Sequence, residues 1–182
     1  MNLKKICIAF VFLLSFQSCT KDVDFNQLDE ANIYTTYLST LVYLNLKAPN
    51  FLDEFNKEIG TTDRIEAIIT NDLDPYLEKV EFTVITDNTF DRTFMLQIIF
   101  YDEVETAIYT LQPTIYALPN TSEITTIIEI PQADIPFIYD TRFFEFQISL
   151  LTSSDGSELS IGDTSILDLK SSVKLFFNYH KI

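Results

Sequence analysis

Side chains able to do chemistry are scarce in this chain. Its 182 residues include two cysteines, Cys7 and Cys19, a single histidine, His180, three glycines and no tryptophan. Zinc and other transition metals need clustered Cys, His and carboxylate ligands, so these lone donors offer them no site. A hydrolytic triad would have to use His180, and no GxSxG-type elbow supplies its nucleophile. His180 alternates against Phe177 and Tyr179, which places it on the wetter face of a terminal strand. Gly60, Gly156 and Gly162 are too few and too scattered for a phosphate loop or a dinucleotide fingerprint. The expectation is no cofactor, no metal and no catalytic residue.

Carboxylates are plentiful, and two chemistries could use them. Paired acids can run glycoside hydrolysis, but no spacing here singles out a pair. Calcium takes hard oxygen ligands, and Asp72, Asp74 and Glu78, then Asp87, Asn88 and Asp91, then Asp155, Ser157 and Glu158 are the candidate clusters. None matches an EF-hand loop, and Asp and Asn also make turns by bonding to their own backbone. Flat aromatic rings raise a third possibility, the stacking of sugars. Tyr34, Tyr37, Tyr43, Tyr101, Tyr109, Tyr116 and Tyr139 could each bury a ring and leave a hydroxyl wet, and three of them on one exposed face would make a glycan platform.

Cys19 has the most informative surroundings. Lys4 and Lys5 precede an unbroken apolar run from Ile6 to Leu14, and Ser15-Phe16-Gln17-Ser18 leads into the cysteine. Charged start, short apolar core and small-residue exit are the parts of a secretory signal. The run is far shorter than the roughly twenty residues that span a bilayer. Removal of residues 1–18 discards Cys7 and leaves Cys19 as the only cysteine, which excludes an intrachain disulfide. A lone cysteine in this position resembles the lipobox of bacterial lipoproteins, with Phe16 and Gln17 departing from the common pattern in the manner of the Bacteroidetes group. That resemblance implies cleavage before Cys19, acylation of its thiol, and anchorage of the domain to a lipid bilayer through N-terminal acyl chains, each buried methylene adding about 0.8 kcal/mol. Surface-displayed members of the group carry a lysine or serine followed by acidic residues after the cysteine. Thr20-Lys21-Asp22-Val23-Asp24 is similar, so Lys21, Asp22 and Asp24 are the candidate export signal.

The balance of charge excludes one class of partner. With 27 acidic against 12 basic side chains the formal net charge is −15, and loss of Lys4 and Lys5 with the signal makes it −17. Nucleic-acid phosphates would be repelled. At 47% apolar residues the chain can build a core as one domain without a disulfide or metal.

The elements that fill residues 32–182 are expected to be strands. Residues 19–31 are polar and read as a tether. Asn32 to Pro49 is rich in strand formers without one clean period, which suggests two short strands or one bent strand broken near Ser39. Phe51, Phe55 and Ile59 fall at four-residue spacing, a helical turn or two stopped by Gly60. Residues 63–79 offer at most a second weak helical pattern. Val80, Phe82 and Val84, then Phe94, Leu96, Ile98 and Phe100, alternate with wetter residues on either side of the turn 87–91, the pattern of a hairpin. Met95 and Ile99 on the opposite face suggest partial cover there. Strands follow at Ala107–Leu111 and Ile124–Ile130, separated by a Pro113–Pro119 segment confined to edges or connections. Others lie at Phe143–Leu151, where Phe144, Phe146, Ile148 and Leu150 share a face, and at Val173–Tyr179. Ser153–Ser157 is a turn. The fold class is all-β, a single, mostly antiparallel β-sandwich of Ig-like architecture.

These readings combine into a non-catalytic, lipid-anchored β-domain of the outer membrane or cell surface, an accessory or protein-binding module whose partner the sequence does not name, an envelope protein being the candidate. A small-ligand or glycan-binding lipoprotein is the alternative. Cys19→Ser is expected to strip the acyl mass from the mature protein and move it from the membrane pellet to the soluble fraction. An unchanged mass with retention in a salt-washed pellet would contradict lipidation.

Overall fold

The computed structural model describes residues 32–67, 76–151, 153 and 156–180. Residues Ile33–Tyr179 form one compact unit. A second unit, Met1–Asn32 with His180–Ile182, lies almost wholly outside the described residues, and so do the signal and tether expected at 1–31.

The strands are β1 (Asn32–Lys47), β2 (Thr61–Glu66), β3 (Leu77–Asn88), β4 (Phe94–Tyr101), β5 (Ala107–Thr110), β6 (Ile115–Ala117), β7 (Thr121–Ile130), β8 (Phe143–Leu150) and β9 (Ile166–His180). Among the described residues helix is minimal: two 3-10 turns, Ala48–Phe51 and Gln132–Asp134, and one short α1, Ile135–Tyr139. One sheet has the order β1-β9-β3-β7; the other runs β2-β8-β4-β5, with β6 also on β4. The pairs β2–β8, β3–β7, β3–β9, β4–β8, β4–β5 and β4–β6 are antiparallel. First therefore pairs with last: β1 with β9, β2 with β8, β3 with β7, and β4 with the broken strand β5/β6. Successive pairs fall in alternate sheets, which makes this β-sandwich a jelly roll. The sandwich is the expected architecture; its strand order differs from that of immunoglobulin domains.

Period-two sequence explains the core. Val80, Phe82, Val84, Phe94, Leu96, Ile98, Phe100, Phe144, Phe146, Ile148, Val173, Leu175 and Phe177 are all buried, and the intervening residues of these strands face outward. Phe82 of one sheet meets Phe100 and Phe144 of the other at ring distances of 5.5 and 5.7 Å, and those two lie 4.9 Å apart. A second cluster joins Phe51, Phe90 and Phe94, with Phe51 4.8 Å from Phe94 and Phe90 5.1 Å from Phe94. Each buried ring is worth on the order of 3 kcal/mol against truncation to alanine. Met95 and Ile99 are half-buried. Pro113 interrupts the edge, so β5 and β6 lie on the same side of β4 in two short pieces.

Four local expectations are corrected. β3 and β4 do not form a hairpin: the chain between them crosses from one sheet to the other. Alternation and turn residues are the same in a hairpin and in such an arch; here the two apolar faces meet through the core instead of lying side by side. The residues after Phe51 are not helical. Asp53 Oδ1 accepts from the amides of Phe55 and Lys57, both at 2.8 Å, and Asn56 adopts φ 58°, so the backbone turns back and Leu52 bridges Glu58. Phe51 is buried while Phe55 and Ile59 are exposed. Of the second weak helical pattern, 63–79, residues 63–66 belong to strand β2 and 77–79 to strand β3, and 68–75 lie outside the described residues. Finally, β1 is one continuous strand. Leu41 and Val42 both turn from water, so its alternation changes phase there and the sequence period is obscured.

Asn88 pins the arch. Its Nδ2 donates to the carbonyls of Arg92 at 2.8 Å, Ala117 at 3.1 Å and Leu118 at 2.9 Å, and its Oδ1 accepts from Phe90 N at 3.0 Å, with no exposure of the residue. Asn88→Leu leaves those carbonyls without the donor and is expected to cost about 3 kcal/mol in urea unfolding. Asn45→Ala, which loses an exposed bond to Asp168, is expected to stay within about 0.5 kcal/mol. Equal effects from the two would contradict this role for Asn88.

Candidate interaction surface at the open side of the sandwich

Among the described residues, no group of three His, Cys, Asp or Glu side chains is placed to hold a metal ion, and no helix is long and apolar enough to cross a membrane. Cys19, Lys21, Asp22 and Asp24 lie outside the described residues, as do Asp72, Asp74 and Asp155 and the side chain of His180. In the second acidic cluster Asn88 is a structural pin and Asp91 is exposed. Glu78 accepts from Asn178 Nδ2.

Two polar networks tie elements together, and their bonds leave little for a ligand. Arg92, buried at the arch, donates through Nη1 to Glu58 Oε1 and through Nη2 to Ser157 O at 2.9 Å. Glu58 Oε1 also accepts from Leu159 N at 2.6 Å. The loops 52–60 and 156–159 are thereby fastened to the β3–β4 arch beside a hollow of about 290 Å³. On the outer face of the second sheet Arg64 of β2 bonds Glu145 Oε2 of β8 through Nε and Nη2, at 3.2 and 2.9 Å, and Glu105 through Nη1 at 3.0 Å. Its guanidinium lies 4.8 Å from the centre of the Tyr101 ring and 5.5 Å from that of Phe143. Tyr101 and Gln147 both donate to Glu145 Oε1, at 3.2 and 2.7 Å. The Gln147 bond, then those from Arg64 and Tyr101, outweigh burial and hold the Glu145 carboxyl below its ordinary range. Near α1, burial and then the bond to Asp134 push the Tyr109 hydroxyl up to about 12.

The open surface lies elsewhere. β1 and β2, the edge strands on one side of the two sheets, bound a cleft of about 320 Å³ whose lining includes Tyr37, Leu41, Ile65, Phe144, Val173 and Leu175. Among the described residues its one charged lining residue, Glu66, is paired with Arg142. Such a cleft takes apolar side chains and has few polar groups to orient a sugar or cofactor. On β1, Tyr34, Tyr37, Leu38 and Tyr43 are 67%, 62%, 66% and 60% exposed. They do not share a face: Tyr37 lines the cleft, whereas Tyr43 sits under Lys170, whose Nζ is 5.8 Å from its ring centre. Tyr101, Tyr109 and Tyr139 are half-buried. A three-ring glycan platform is not formed by these tyrosines.

The edges differ in how they are protected. Exposed strand edges template pairing with other chains, and proteins blunt them with charges, proline, brevity or irregularity. β7 carries Glu123, at φ 48°, and Glu129. β2 carries Asp63, Arg64 and Glu66. β5 and β6 have four and three residues. β1 is long and from Asn32 to Leu46 has neither a charge nor a proline; its one irregularity is the change of phase at Leu41 and Val42. The tyrosines of β1 were visible as candidates in the sequence, but Ile65, Phe144 and Val173 gain meaning only from the strand order. The absence of charge over that stretch is a signal that sequence reading could have used.

No protein-family model matches the chain, and no curated protein matches it. Among solved structures it is similar to a Parabacteroides distasonis protein described as secreted, at 17% identity and a TM-score of 0.49, over 64% of this chain and 37% of that one. Infectious bursal disease virus, Gx strain, matches at 13% identity and 0.39, over 79% of this chain and 32% of that one. The VP2 subviral particle of infectious bursal disease virus matches at 12% identity and 0.35, over 81% and 33%. In each case the chain spans well under two thirds of the other protein's length.

The Arg64–Glu145 clasp gives a pH signature. A carboxylate whose folded pKa is lowered contributes stability above its unfolded value, about 4.3 for glutamate, and loses it as pH falls through the folded value. Glu145→Gln is therefore expected to lower the melting temperature near neutral pH, with the gap to wild type closing as pH falls below about 4. A gap of the same size in acid and at neutrality would contradict the clasp.

Proposed function

We propose that this protein is a non-catalytic, lipid-anchored β-domain of the outer membrane that binds a partner protein through the free edge of β1. The observation that carries the reading is the unprotected edge itself: long, uncharged, free of proline, and bearing exposed Tyr34, Tyr37 and Leu38. An edge of this kind offers main-chain hydrogen bonds along its length, and alternate side chains of an added strand would enter the apolar cleft beside it. Anchorage rests on Cys19 and the apolar run before it. Lys21, Asp22 and Asp24 support outward display. A short tether would then present β1, the first strand of the domain, close to the bilayer and to other envelope proteins.

A photocrosslinking amino acid in place of Leu38, introduced in intact cells, tests the binding edge. The expected result is a discrete protein adduct from position 38 and none from the same replacement at Ile127 on β7. No adduct at position 38, or equal adducts from both, would contradict the assignment. Protease added to intact cells is expected to shave the domain; full protection would contradict outward display.

A further inference from the structure

The partner that suits this edge is identified by what β1 lacks. A heterologous partner of so acidic a body would be selected and steered by complementary charge, and β1 offers no charge from Asn32 to Leu46 with which to do it. A strand that pairs with its own copy faces the opposite requirement, because symmetric pairing sets a charge near its like and like charges opposite one another destabilise a sheet. β7 pairing with itself would bring Glu123 and Glu129 of two copies together, β2 would bring Asp63 and Glu66, and β5 and β6 are too short to hold a ladder. β1 alone among the described edges is both long and neutral. Charges on its flank are mixed: Asn45 holds Asp168, and Lys170 lies over Tyr43.

We infer that the free edge of β1 is closed by β1 of a second copy of this chain, giving a two-fold dimer in which the two four-stranded sheets run on into one. This rests on the reading of β1 as the interaction edge and names its partner. The contact is isologous, the same strand on both sides, so it uses up the exposed edge and stops growth at two. Tyr34, Tyr37 and Leu38 then become cross-strand neighbours of the same residue types instead of exposed apolar groups.

Sedimentation velocity on the intact mature protein, in density-matched detergent over a wide range of dilution, tests the inference. The expected species is a dimer that dissociates on dilution. Leu38→Lys and Thr36→Lys, each placing a charge on the edge, are expected to weaken it by on the order of tenfold or more, with the melting temperature of the dilute monomer unchanged. Glu123→Lys on β7 is expected to leave it intact. If one β1 variant fails to fold, the other carries the test. A monomer at every concentration, an assembly larger than two, or a dimer indifferent to both lysines would overturn the inference. An adduct from position 38 to a different envelope protein, with the isolated chain monomeric, would also overturn it while leaving the protein-binding reading in place.

Discussion

A sandwich of two open sheets has strand edges that must be paired, blunted or covered, and this constraint organises the molecule. The chain satisfies most of it by pairing its strands from the outside in, β1 with β9, β2 with β8, β3 with β7 and β4 with β5/β6. That order buries one face of β3, β4, β8 and β9 in a shared core and, among the described residues, leaves as edges β1, β7, β2 and the broken strand β5/β6. β7 and β2 carry charge and β5/β6 is broken. β1 is long and has neither a charge nor a proline from Asn32 to Leu46, and the functional reading grows from that exception.

Scarce cations serve the same architecture. All three arginines join segments distant in sequence: Arg64 ties β2 to Glu145 of β8, Arg92 ties the arch to Glu58 and Ser157, and Arg142 ties the start of β8 to Glu66. Lys79 bridges Glu81 and Glu129 on the outer face of the other sheet. In a chain with so large an acidic excess, each of these guanidinium groups finds carboxylate partners. They hold β2 against β8 and fasten the loops 52–60 and 156–159 to the arch. Asn88 does with amide chemistry at the arch what Arg92 does with charge.

Much of the strand content was legible because alternation is a local signal. The buried faces of β3, β4, β8 and β9 follow directly from period-two spacing of Phe, Leu, Ile and Val. What could not be read is which strand lies beside which. The turn at 87–91 looks the same whether its strands pair or face each other across the core, and the pairing of residues far apart in sequence leaves no local trace. Residues 51–59 mimicked a helical spacing that Asp53 and Asn56 defeat with a side-chain-capped turn. The tyrosines of β1 are candidate platforms for sugars in the sequence, but Tyr34 and Tyr37 fall on opposite faces by alternation alone, and the phase change at Leu41 and Val42 separates Tyr37 from Tyr43. The cleft was invisible for a different reason: Ile65, Phe144 and Val173 come together only once strand order is known.

The central claim is that the outward amides of β1 are free in an isolated protomer and paired in the working protein. Residue-resolved amide hydrogen exchange, measured on the intact protein at high dilution and again at the density it has on membranes, addresses this directly. The account predicts that alternate amides along β1, those pointing away from β9, exchange rapidly when dilute and become protected when crowded, while amides of the core strand β3 do not change. Protection of those β1 amides at every dilution would mean that the chain covers its own edge, and rapid exchange under both conditions would mean that nothing covers it.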